Sequence, residues 1–134
     1  MTLDDARVQK FLAGKQTVVL ATVQADGAPL AMAMWLLHDP ASLTMISEAD
    51  TQKVRNLRRD PRVSVVAEAV DPIRGVAVQG RAEFLDDGPE RRALVERFHA
   101  KYPSLAGLWK GRAMPPNRVM FRILPATVRA WGLE

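Results

Sequence analysis

The chain has 134 residues, of which 48% are hydrophobic and 25% charged, with a formal net charge of +4 and no cysteine. That length fits one domain with a buried core, and the composition excludes a disordered or fibrous chain. The missing thiols exclude disulfides and thiolate metal sites, while the basic balance favours anionic partners without choosing among nucleic acid, membrane surface and phosphorylated small molecule.

The N-terminal stretch MTLDDARVQKFLAGK is amphipathic, carries acids early and has no long apolar run. It predicts no signal peptide, no membrane span and a cytoplasmic location. Asp4 to Ala13 reads as a short helix with Ala6, Val8, Phe11 and Leu12 apolar and Gly14 as its stop. TVVLATVQ is a β-branched strand, ADG a turn, and PLAMAMWLL a second strand that completes a hairpin. HDPAS turns the chain into a third strand, LTMIS. A helix follows from about Asp50 to Arg59, ended by Pro61.

RVSVVAEAV and RGVAVQGRAEFLD are two more strands separated by DPI, and GPERRALVERFHAKYP is a helix with Leu94, Val95 and Phe98 on one face. SLAGLWKGRAMPPN reads as loop with one helical turn, and RVMFRIL and TVRAWGL as a closing strand broken at Pro125. The early connections are hairpin-length, so those strands are antiparallel. The expected fold is mainly β with flanking helices: a single domain over residues 1–134, built as a closed or nearly closed small barrel of about six mostly antiparallel strands. An open α+β sheet with helices on one face is the ordinary alternative.

The PLAMAMWLL strand is apolar on both faces: Ala31, Ala33, Trp35 and Leu37 point one way, Met32, Met34 and Leu36 the other. An antiparallel strand with one wet face alternates with polar residues, so this strand needs two covers. One is the barrel core. The other is a helix, a partner subunit or a flat aromatic ligand.

The stretch SEADTQKVRNLRRDPRV gathers two hydroxyls, a lysine and four arginines around one short helix. The first turn of a helix exposes unpaired N–H groups and the positive end of its dipole. Thr51 and Lys53 lie there and Ser47 ends the preceding strand, a donor set suited to a phosphate. Asp50 is the expected N-cap. Val54 and Leu57 are spaced to pin the helix to the sheet, which turns Arg55, Arg58 and Arg59 outward, and Arg58, Arg59 and Arg62 read as a solvated face.

Two pieces of this sequence, KVRNLRRDPRV and the terminal PATVRAWG, resemble the pyridoxamine 5'-phosphate oxidase-like superfamily of FMN-binding split barrels, which includes a branch using the deazaflavin coenzyme F420. The likeness runs over nearly the whole chain. It implies a split β-barrel, a homodimer, and a cofactor in a groove at the subunit interface. The phosphate would meet Ser47, Thr51 and Lys53, with Asn56 on the same helix. The ring would lie along Met32, Ala33, Met34 and Trp35, with Trp131 near the groove. The basic R-x-x-L-L-K motif and the C-terminal Arg-x-His motif of true pyridoxamine phosphate oxidases are absent, which argues against the vitamin as substrate.

His38 and His99 are the only histidines and fall in different elements, so no metal site is expected, and a haem-ligating role for either ranks low. No side chain stands out as a catalytic acid or base. The resemblance therefore implies an oxidoreductase that binds FMN, or alternatively F420, and moves hydride to or from a small organic substrate. The alternatives are a flavin carrier without turnover and, last, a nucleic-acid binder working through Arg55, Arg58, Arg59 and Arg62. The latter lacks interleaved aromatics. Neither a nucleic-acid nor a membrane partner is expected.

Overall fold

The computed structural model describes residues 1–134. Helix α1 (Ala6–Ala13) opens the chain. Its cap is Asp5, whose carboxylate accepts the Arg7 amide, so the helix starts later than Asp4. Val8, Phe11 and Leu12 are buried, while Ala6 is exposed. Strands β1 (Val18–Val23) and β2 (Pro29–Met34) form the expected hairpin, followed by β3 (Leu37–His38) and β4 (Leu43–Glu48). After α2 (Gln52–Arg59) come β5 (Arg62–Val70), β6 (Ile73–Leu85), α3 (Pro89–Lys101), the single turn α4 (Leu105–Leu108) and β7 (Arg118–Trp131).

All strands join one antiparallel sheet of seven, ordered β2-β1-β5-β6-β7-β4-β3. The count exceeds the expected six because PLAMAMWLL is not one strand. It breaks at Trp35–Leu36, and its two parts lie at opposite edges of the sheet. From Met34 to Leu37 the chain covers three Cα–Cα steps, at most about 11 Å. The two edges therefore stand close together at that point, and the sheet curls into a half-barrel. A local pattern cannot reveal this, since both parts of the run are equally apolar.

The inner face carries the main core. Leu20, Val65 and Val78 are successive cross-strand neighbours, all buried, and Leu43, Met45, Phe121 and Ile123 continue it from β4 and β7. Val8, Phe11 and Leu12 of α1 pack into the same cluster. A second cluster joins Val95 and Phe98 of α3, Tyr102, Leu105 and Trp109 to Leu37, Leu85 and Met120. This explains why β4 is buried on both faces.

Pro125 does not break the last strand. β7 runs through it, and the irregularity is absorbed as a bulge: Gly80 faces Pro125 while Gln79 faces Thr127. Gly80 is required there, because a Cβ would overlap the Leu124 carbonyl oxygen.

Candidate functional site

The chain turns from β4 into α2 through Glu48, Ala49 and Asp50, and three side chains converge at this corner. Lys53 donates from Nζ to Ser47 Oγ at 2.7 Å. Ser47 Oγ and Thr51 Oγ1 are 3.5 Å apart, and each hydroxyl donates to the Glu48 carbonyl at 3.1 Å. The N-cap of α2 is Thr51 rather than Asp50, which is exposed and pairs with Arg55 at 3.0 Å. Thr51 makes no side-chain cap bond to the first turn, so the amide groups there keep their free donors.

Val54 and Leu57 hold α2 against the sheet. Lys53 is half-buried by this packing, and burial pushes its ammonium pKa down, partly opposed by the Glu48 carboxylate. Glu48 is engaged elsewhere: its carboxylate lies 3.6 Å from the Arg118 guanidinium, on the residue facing it across β4 and β7.

The corner opens into a cleft of about 420 Å³. Ala33, Met34 and Trp35 line it together with Ser47, Thr51 and Lys53, so six of the expected residues come together. Ile46, Phe98, Leu105 and Trp109 add an apolar wall, and Glu48 and Arg118 add charge at the polar end. Trp35 is fixed by stacking on Tyr102, with centroids 4.3 Å apart and planes 7° apart. Sequence reasoning missed Arg118, whose place depends on a register between distant strands. Trp109 is 8% exposed and still forms part of the wall.

Three expected residues stand elsewhere. Asn56 is fully buried: its amide donates to Thr22 Oγ1 at 3.0 Å and accepts from Gln52 at 2.8 Å, so it ties α2 to β1 and turns away from the cleft. Met32 shares its cross-strand row with buried Leu20 and lies on the core side of the edge strand. Trp131 pairs with Gly75 and lies over it, where any Cβ would strike the indole ring, and it does not line this cleft.

The arginines after Lys53 are occupied by their own chain. Arg58 stands 4.2 Å from the centroid of Phe84, Arg59 donates to the Val23 carbonyl, and Arg62 pairs with Asp60 at 2.7 Å. His38 bonds Gln9 at 2.8 Å and His99 meets the Ala113 carbonyl at 2.6 Å. No group of three or more His, Cys, Asp or Glu could hold a metal ion, and no helix is long and apolar enough to cross a membrane.

Solved structures share this arrangement of strands. The conserved Mycobacterium tuberculosis protein Rv2991 is 31% identical with a TM-score of 0.75, over 95% of this chain and 83% of that one. A candidate pyridoxamine 5'-phosphate oxidase from Listeria innocua is 27% identical with a TM-score of 0.76, over 96% and 98%. A protein described as an F420 reductase is 26% identical with a TM-score of 0.69, over 90% and 94%. The sequence profile described as pyridoxamine 5'-phosphate oxidase matches residues 4–132, nearly the whole chain, so this protein belongs to that family of split barrels.

Proposed function

We propose that the protein is an oxidoreductase that binds FMN or coenzyme F420 and moves hydride to or from a small organic substrate. The observation that carries this reading is the corner at Lys53. An ammonium with no carboxylate partner, two hydroxyls and the free donors of a helix start face one cleft. That donor set fits a phosphate. The adjoining strand fits a flat ring, because Ala31 and Ala33 are small and exposed on its outward face.

The bound ring would supply the hydride chemistry. The chain's own part is to bind and orient. Lys53, Ser47 and Thr51 hold the phosphate, Ala33 leaves room for the ring, and Phe98, Leu105 and Trp109 keep water from one side. The vitamin is not the proposed substrate, since the basic motifs of true pyridoxamine phosphate oxidases are missing.

The groove is completed by a second copy of the chain in this reading. The outward face of the sheet supports it: Ala33, Val19 and Val66 are successive cross-strand neighbours beside the cleft, and Val19 and Val66 are 40% and 37% exposed.

The purified protein's absorption spectrum, with mass spectrometry of the released cofactor, tests the proposal. Bound FMN or F420 is the expected result. A colourless protein that takes up neither would refute it, and tight binding without turnover of any acceptor would make the protein a carrier.

A further inference from the structure

A second cleft, of about 620 Å³, lies between the end of α1, the β5–β6 turn and the segment after β7. It shares no residue with the Lys53 cleft. Four cations line it, Arg7, Lys10, Lys15 and Arg74, against one side-chain carboxylate, Glu134. Their engagement differs. Arg7 is paired with Asp5 at 2.9 Å, and Lys15 donates to the Glu68 carbonyl. Lys10 and Arg74 take part in no ion pair.

Arg74 is the telling residue. Its guanidinium stands 5.6 Å from the centroid of Phe11, with Lys15 Nζ 4.8 Å from the same ring, and its Nε is buried without a hydrogen-bond partner. A buried guanidinium N–H with no acceptor is costly unless something else supplies one. The wall of the cleft is also set by the backbone. Gly132, at φ +69°, brings the segment after β7 so close to the Ile73 carbonyl that no side chain would fit.

We propose that this cleft binds the phosphate or carboxylate group of a small anionic molecule, at a site separate from the one around Lys53. The proposal does not depend on which cofactor, if any, the Lys53 cleft takes.

Calorimetric titration of inorganic pyrophosphate and of citrate into the Lys53→Ala protein tests it, since that background removes the main cation of the other site. One saturable site for at least one of the two anions is expected. Adding Lys10→Gln and Arg74→Gln should weaken it by about tenfold or more. The anion that binds more tightly tells phosphate from carboxylate chemistry. No saturable binding in the Lys53→Ala protein would overturn the proposal, as would an affinity unchanged by the added substitutions. If Arg74→Gln disturbs folding through Phe11, the pair Lys10→Gln and Lys15→Gln decides by the same criterion. Binding to phosphatidylglycerol vesicles with neither free anion bound would also overturn it, because the cleft would then serve a lipid surface.

Discussion

Lys53 is the residue at which burial and a bound anion act in opposite directions. Burial lowers its pKa in the folded protein, whereas a phosphate would favour the ammonium and raise it again. Between the lowered pKa and the ordinary 10.5, the unfolded chain holds more protons than the folded one. Stability from this group therefore rises with pH across that window. Phosphate affinity should do the reverse, weakening as pH climbs through the lowered value, and titration at a series of alkaline pH values at fixed salt checks it. Lys53→Ala should remove a charge-assisted contact worth about 1.5–3 kcal/mol, or one to two decades of cofactor affinity. Arg59→Ala should do far less, because Arg59 lies at the other end of α2 and bonds Val23. Ala33→Phe should fold normally and fail to bind the cofactor, since Ala33 is exposed at the edge of the cleft. Circular dichroism alongside cofactor titration separates these outcomes, and an unfolded variant would place Ala33 in the core. The Ser47, Thr51 and Lys53 set was legible in the sequence because a strand end and a helix start sit four to six positions apart. The Glu48–Arg118 pair was not, because it depends on the pairing of β4 with β7.

At the scale of elements, the fold turns on how the chain crosses from β2 to β3. Tyr102, just past α3, holds that crossing. Its hydroxyl donates to the Gln16 carbonyl at 2.6 Å and accepts the Leu36 amide at 3.0 Å, while its ring stacks on Trp35. One side chain thus joins the end of α3, the segment before β1 and the crossing strand. Tyr102→Phe keeps the stacking but leaves the buried Leu36 N–H without this partner, a loss of about 1–3 kcal/mol. Urea denaturation should show a lower midpoint with an unchanged slope, and equal midpoints would remove Tyr102 from this role. Most elements were legible from apolar periodicity and turn residues: the β1–β2 hairpin, the β5–β6 hairpin at Asp71–Pro72, and α3 between Gly88 and Tyr102. The strand break at Trp35 was hidden because tertiary closure imposes it. The continuity of β7 through Pro125 was hidden because the accommodating partner, Gly80, lies on a different strand.

At the scale of the molecule, the half-barrel has a covered inner face and an outer face covered only over β4 and β7. α3 and α4 pack beside β4 and β7, and α1 packs into the barrel core, which leaves the outward row Ala33, Val19, Val66 and Ala77 without a helix over it. Contiguous exposed apolar surface on a soluble protein often marks an interaction site, and this row adjoins the Lys53 cleft through Ala33. A second copy placed there would cover the row and wall the cleft at once. Sedimentation at micromolar concentration should give twice the 14.8 kDa chain mass. Val66→Asp is the sharper test. Val66 faces outward from a central strand, so a carboxylate there should cost the isolated chain no more than about 0.5 kcal/mol, as at other surface positions. Between two copies it would be buried without a partner, a desolvation cost of several kcal/mol. The variant should sediment as a folded monomer and bind cofactor more weakly, even though Ser47, Thr51 and Lys53 are untouched. A wild-type protein that is a folded monomer at micromolar concentration would refute the dimer. A Val66→Asp dimer with full cofactor affinity would move the interface to another face of the sheet.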